Sequence, residues 1–230
     1  MDANTVVTLV DIVGNSLIIQ NASPPMENAA PRHQGEVGII LLAAGGSSRL
    51  GQPKQLLPYE GRPLLRRAAE TALASQCRPV IVVLGAEIPA CSAALQGLPV
   101  EIVINEAWRE GLASSIRAGL NYLELKNIRV AAAILSVADQ PHLTATMLDL
   151  LVEQRRFTGK KIVAAQYAGV PGPPALFAGS LFPELLKLAG DEGARRVLQA
   201  HPAEVALVPF PEGSLDVDTP ADYEMLQAKS

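Results

Sequence analysis

The segment Leu42-Ala43-Ala44-Gly45-Gly46-Ser47-Ser48-Arg49-Leu50-Gly51-Gln52-Pro53-Lys54 gathers the residue types that hold a phosphate chain. Small residues bring bare backbone N–H groups close to an anion, the serines add hydroxyl donors, and Arg49 and Lys54 supply compensating charge. The pattern suits a triphosphate. It is not a P-loop, because no Gly-Lys-Ser/Thr closes it, and its glycines do not fall at the spacing of G-x-G-x-x-G. Taken alone, Gly45-Gly46 could also be a tight turn after a strand, with Arg49 and Lys54 as surface charges.

Two further segments put carboxylates at strand exits: Ser136-Val137-Ala138-Asp139-Gln140-Pro141 and Leu215-Asp216-Val217-Asp218-Thr219-Pro220. A triphosphate is commonly held with Mg2+, which offsets the charge of its oxygens, and one or two carboxylates suffice to hold the ion. Asp139 is the first candidate ligand. Asp216 and Asp218 share a face of an extended run, only one of them need reach the metal, and Asp218 is the second candidate. The competing reading makes Asp218 a helix N-cap and Asp139 a turn residue before Pro141. His142 reads as a polar rim residue. At a triphosphate, alignment and charge stabilisation are the work left to side chains, with Arg49, Lys54 and Asp139 as the expected catalytic residues.

Base and ribose recognition would come from other strand exits. Gly85, in Leu84-Gly85-Ala86, permits close approach, and Asn105 offers a base edge both a donor and an acceptor. Gly111 and the hydroxyls of Ser114 and Ser115 open a helix at the same rim, which could equally be a capped helix start with no ligand. Trp108, the only tryptophan, reads as packing.

The elements that must carry these residues follow from the hydrophobic pattern. Short apolar runs at 37–42, 79–84, 100–104, 130–137, 162–165 and 205–208 are expected strands, and helix-period segments at 63–76, 88–95, 112–125, 144–157, 180–188, 193–200 and 221–228 are expected helices. That alternation makes crossover units, so the expected architecture is an α/β fold of three layers, a mostly parallel sheet with helices on both faces and ligands at the carboxyl ends of its strands. Before it, two β-branched runs around Gly14-Asn15 form a hairpin pattern, and 21–36, with Pro24-Pro25 and Pro31, reads as a linker. Residues 1–36 are therefore expected to be an appendage and 37–230 the working domain.

Composition bounds the partners. Of 230 residues 49% are hydrophobic, and Lys+Arg 19 against Asp+Glu 23 gives a net charge of −4. That excludes a basic surface for nucleic acid and leaves small, locally held anions. The two cysteines, Cys77 and Cys91, have neither metal-ligand spacing nor a disulfide pattern, and the N-terminal stretch reads as neither a secretory signal nor a membrane span. The expected location is cytoplasmic.

The run from Leu42 to Lys54, continuing Gln55-Leu56-Leu57-Pro58, resembles the signature loop of the MobA-like nucleotidyltransferases, and the double alanine is most similar to the molybdenum cofactor cytidylyltransferase branch. The resemblance implies a Rossmann-like fold of the nucleotide-diphospho-sugar transferase type, Mg2+ as cofactor, and CMP transfer from CTP to molybdopterin with release of pyrophosphate. It implies nucleotide contacts from Leu42, Ala43, Ala44, Gly45, Gly46, Ser47, Gly85, Asn105, Gly111 and Ser115, and Asp218 as second metal ligand. Gly172-Pro173-Pro174 and Gly190-Asp191-Glu192-Gly193-Ala194-Arg195 look like acceptor-side loops, which points to Gly172, Pro174 and Arg195. Pro173 stands where the family commonly carries His or Asn, so a polar acceptor contact is missing or moved. Guanylyl transfer, a sugar- or polyol-phosphate acceptor, or a non-catalytic molybdopterin carrier serving a molybdoenzyme are the alternative readings.

Overall fold

Short apolar runs and helix-period segments alternate in the computed structural model as they do in the sequence; it describes residues 7–10, 16–20, 37–46, 50–215, 217 and 219–228. Strands β1 (Val7–Val10), β2 (Ser16–Gln20) and β3 (Val37–Ala43) lead to a small hairpin of β4 (Pro58–Tyr59) and β5 (Arg62–Pro63). There follow α1 (Leu64–Ala74), β6 (Val80–Leu84), α2 (Ile88–Ala94), β7 (Glu101–Asn105), α3 (Leu112–Leu125), β8 (Ala132–Val137) and α4 (Ala145–Thr158). The chain continues through β9 (Ile162–Tyr167), β10 (Val170–Ala178), α5 (Phe182–Leu185), α6 (Arg195–Ala200), β11 (Val205–Pro209) and α7 (Pro220–Ala228).

The large sheet has the order β1-β2-β7-β6-β3-β8-β10-β9-β11. Its centre, β7-β6-β3-β8, is parallel throughout, and β11 lies parallel to β9. The N-terminal hairpin pairs antiparallel with β7 through β2. β10 runs antiparallel between β8 and β9 and has no counterpart among the expected strands. Pro171, Pro173 and Pro174 give 170–178 the look of a loop, since proline donates no ladder hydrogen bond. The strand accommodates them with a register shift between Gly172 and Ala175, so the expected acceptor-side loop is in fact strand. The helix expected over 180–188 is shorter: it narrows to α5 after a 3-10 turn at Gly179–Leu181, and its last bonds tighten to three-residue spacing at Lys187 and Leu188.

β3 is buried along its whole length because its side chains serve two cores. Ile40 and Leu42 pack with α3, α5 and α6, whereas Ile39, Leu41 and Ala43 face α1, α2 and α4. A strand covered on both faces reads as a continuous apolar run, as this one does. α3 approaches β3 so closely that a Cβ on Gly119 would lie 2.4 Å from Ile40 Cγ2. α1 and α2 carry the chain outward to β7 over one face, and α3 returns it over the other to β8. Strand order therefore reverses between β3 and β8, and in open sheets of this kind ligands bind in the crevice at that switch. At the far end of the chain, Tyr223 Oη and Gln227 Nε2 donate to the Pro58 carbonyl, tying α7 to β4. No helix among the described residues is long and apolar enough to cross a membrane.

Candidate active site

Lys54 and Asp139 meet at the switch. β3 ends at Ala43 and its exit loop leads to a 3-10 turn that begins at Lys54, while Asp139 stands two residues beyond the end of β8. The Lys54 ammonium donates to Asp139 Oδ2 in an ion pair that is largely removed from solvent. Beside it, the buried side chain of Gln55 donates to the carbonyls of Ala43 at 3.1 Å and Gly45 at 2.6 Å, holding the start of the loop to its end. Sequence reasoning had no role for Gln55. Its signal was a polar residue inside the otherwise apolar continuation of the loop.

A cleft of about 760 Å³ opens over this pair. Leu42, Ala43, Ala44, Gly45, Gly111 and Ser115 line it, together with Lys54, Gln55, Asp139, Trp108, Arg109 and Asp191. Gly46 and Gly85 serve Trp108: a Cβ on Gly46 would lie 2.9 Å from the indole Cη2, and one on Gly85 2.6 Å from Trp108 Cβ. The indole thus stands on the cleft wall, backed by the two glycines, with the Arg109 guanidinium 4.4 Å from its centroid. A charged group over an aromatic face is attracted by the ring quadrupole, which orients Arg109 at the mouth. Ser47 and Arg49, like Asp216 and Asp218, lie outside the described residues. Between the last two, the Val217 N–H donates to the Asp139 carbonyl at 3.3 Å.

Asn105 is buried and faces inward. Its Nδ2 donates to Ser114 Oγ at 2.8 Å and Ser115 Oγ at 3.1 Å, and Ser114 Oγ donates to the Gly111 carbonyl at 2.8 Å. The amide so organises the first turn of α3, where helix N–H groups lack internal partners and suit an anion. Gly111 has a φ of 105°, and a Cβ there would lie 2.4 Å from the Gly190 carbonyl carbon and oxygen. The Gly190 carbonyl accepts from Ala113 N at 3.1 Å, and Arg117 donates to the Leu188 carbonyl at 2.6 Å. These bonds pin 188–190 to the helix start and bring Asp191 to the cleft, a residue that sequence reasoning quoted only within a motif.

A second cavity, of about 260 Å³, adjoins the first and shares Leu42, Leu112 and Val137 with it. Gly172 and Arg195 line this cavity, whereas Pro174 is buried and does not. Next to Asp139, the Gln140 amide donates to the carbonyls of Pro173 at 3.1 Å and Gly213 at 3.4 Å, anchoring the bulge of β10 beside the ion pair. His142 packs edge-on to the Tyr59 ring, with centroids 6.4 Å apart, and lines neither cavity.

A parallel α/β sheet with a glycine-rich loop, an acidic strand exit and a cleft between them defines an enzyme of the nucleotidyltransferase class. The chain belongs to the family described as the MobA-like NTP transferase domain, whose model matches residues 39–205. It is 37% identical over 191 residues to the nicotine blue oxidoreductase of Paenarthrobacter nicotinovorans, covering 78% of this chain and 91% of that one. It is 30% identical to the purine catabolism protein PucB of Bacillus subtilis (82% and 94% covered) and 25% identical to the molybdenum cofactor cytidylyltransferase of Escherichia coli (81% and 93%). Among solved structures it is similar to Rv0371c of Mycobacterium tuberculosis, with a TM-score of 0.73, 30% identity, and 84% of this chain and 97% of that one covered. A manganese complex of Rv0371c matches with a TM-score of 0.70 and 27% identity over 85% of this chain and all (100%) of that one.

Proposed function

We propose that the enzyme transfers CMP from CTP to molybdopterin or its molybdenum form and releases pyrophosphate. The observation that carries this reading is the Lys54–Asp139 pair at the β3/β8 switch, in a cleft walled by the first turn of α3 and adjoined by a second cavity. An ionised phosphate oxygen of the acceptor attacks the α-phosphorus of CTP; the bond from that phosphorus to the oxygen bridging the β-phosphate breaks, and pyrophosphate leaves with the electron pair. No proton need be moved. Lys54, with Arg49, offsets charge that builds on the α-phosphate, and Ser115 and the loop backbone from Ala43 to Gly45 hold the nucleotide.

The donors suit a divalent ion shared with substrate. Among the described residues no group of three or more His, Cys, Asp or Glu side chains gathers that could cage a metal, and Mg2+ is commonly bound by one or two carboxylates plus phosphate oxygens. Asp139 and Asp218 are the residues to hold it, and the manganese complex of Rv0371c supports a divalent ion at such a fold. When bound, the ion neutralises phosphate charge and favours departure of pyrophosphate. The double alanine of the signature loop favours CTP and molybdopterin, and the E. coli cytidylyltransferase is a relative named for that activity.

The test is pyrophosphate release with Mg2+ and molybdenum-loaded molybdopterin, comparing CTP, GTP, UTP and ATP, with Asp139→Ala as the blank. Release with CTP alone is expected. Release with GTP alone makes the enzyme a guanylyltransferase, and none with any nucleotide, from protein that binds CTP, moves the acceptor elsewhere. The name of the 37% relative raises a second reading, an oxidoreductase, a class for which pyridine nucleotides are common cofactors. The loop lacks the G-x-G-x-x-G spacing that such cofactors use, and titration with NADH and NADPH distinguishes the two.

A further inference from the structure

We propose that Gln140 is a positioning residue for the divalent ion: its buried amide ties the bulge of β10 and the segment leading to Asp218 against Asp139, and so fixes how far apart the ion's carboxylates stand. This deepens the transferase reading above and rests on it for what the ion does there.

The amide is committed on two sides. Gln140 is only 4% exposed, and its Nε2 donates to the carbonyls of Pro173 at 3.1 Å and Gly213 at 3.4 Å, two segments far apart in sequence. Carbonyl oxygens only accept, so it is the nitrogen that faces them. That leaves Oε1 on the other side, buried and with no hydrogen-bond partner among the described residues. An unmet buried acceptor is costly, and an apolar side chain of the same length would fill the space without that cost. What it would not do is join the two carbonyls.

The tie reaches a segment that Asp139 also holds. The turn at Gly213 is closely packed: its N–H donates to the Phe210 carbonyl at 2.9 Å, and a Cβ on Gly213 would lie 2.3 Å from Phe210 Cδ1. Further along, the Val217 N–H donates to the Asp139 carbonyl at 3.3 Å, and the Val217 side chain is fully buried with Leu57, Tyr59 and Leu226. Adjacent residues of one strand exit, Asp139 and Gln140, thus hold 213–217 at both its ends, and Asp218 is the next residue in the chain. Carboxylates gathered for a cation repel each other until it arrives. A neutral amide bound to backbone carbonyls holds the spacing against that repulsion without adding charge.

The probe is Mn2+ alone, titrated into the full chain without nucleotide and followed by loss of the free-ion EPR signal. Gln140→Met fills the space and removes the donors, and Gln140→Asn keeps an amide too short to reach both carbonyls. Groups that orient metal ligands typically change metal affinity by about 10–100-fold, and both variants are expected to raise the Mn2+ Kd by about tenfold or more. Val152→Ala, a truncation of a buried side chain in α4 that lines neither cavity, is the control: it should lower the melting temperature and leave the Mn2+ Kd as in the parent. Thermal melting identifies a Gln140 variant that has not folded, and the other then carries the test. An unchanged Mn2+ Kd in a folded Gln140 variant, an equal rise in the control, no Mn2+ binding by the parent chain, or failure of both Gln140 variants to fold overturns the proposal. Failure of the transferase reading shows separately, as absent pyrophosphate release from parent protein whose Mn2+ binding still depends on Gln140.

Discussion

Trp108 occupies the space that a side chain on Gly85 would need: a Cβ there would fall 2.6 Å from Trp108 Cβ and 2.8 Å from the Ala44 carbonyl oxygen. The glycine is a packing requirement of the indole, and the indole in turn backs the loop after β3. Gly85→Ala should therefore destabilise the fold by roughly 1–3 kcal/mol, the usual cost of overpacking. Guanidinium unfolding measures the loss, and a red shift of the single tryptophan's emission in the native state reports the indole's displacement. Unchanged stability and emission would mean that the contact yields at no cost.

Asn105 distinguishes a base-reading residue from an organiser of α3. With its amide committed to Ser114 and Ser115, Asn105→Ala leaves buried hydroxyls short of a partner and should cost about 1–3 kcal/mol. The order of preference among CTP, GTP, UTP and ATP should stay as in the parent enzyme. A changed order in pyrophosphate release would instead make Asn105 a direct contact to the base.

Lys54→Met keeps the length of the side chain and removes its charge. Loss of one preorganised charge-stabilising donor typically lowers turnover by about 10²–10³, and a fall of that size in kcat is expected for pyrophosphate release. Binding of CTP, measured by calorimetry, should weaken far less. A fall confined to KM would assign Lys54 to nucleotide binding alone.

Cys77 and Cys91 carry an alkaline signature. Burial pushes both thiols up from 9.0 to about 11. Between those values the unfolded chain loses protons that the folded chain keeps, so folded stability falls as pH rises from about 9 to about 11, and the thiols' contribution is level below that window. The Cys77→Ala, Cys91→Ala double variant should show a shallower decline in urea unfolding across it. In the parent protein both thiols should resist iodoacetamide at pH 8 until the chain is denatured, because the thiolate is the reactive form.

The order of elements and the layer architecture were legible in the chain because both follow from local periodicity. The apolar run 37–42 reads as a buried strand and is β3, one residue longer, and the segment 144–157 is α4, opened by the capping Thr144. β10 was not legible. Its prolines argue against a strand, and only the bulge between Gly172 and Ala175, stabilised by pairing with β8 and β9 on either side, lets the segment join the sheet.

The candidate site divides in the same way. Residue types and spacing were enough to single out Lys54 and Asp139, because phosphate chemistry demands charge at strand exits and the alternating pattern says where those exits are. Their pairing across 85 residues came from the sheet order, which puts β3 beside β8. The commitments of Asn105, Gln55 and Gly85 likewise depend on neighbours distant in sequence: a side-chain amide is equally able to meet a base, a serine or a carbonyl, and a glycine to meet a phosphate or an indole. Composition and local pattern settle which groups are available and roughly where along the sheet they emerge; which partner each one meets is set by long-range packing, since only packing brings the competing partners within hydrogen-bonding or van der Waals distance.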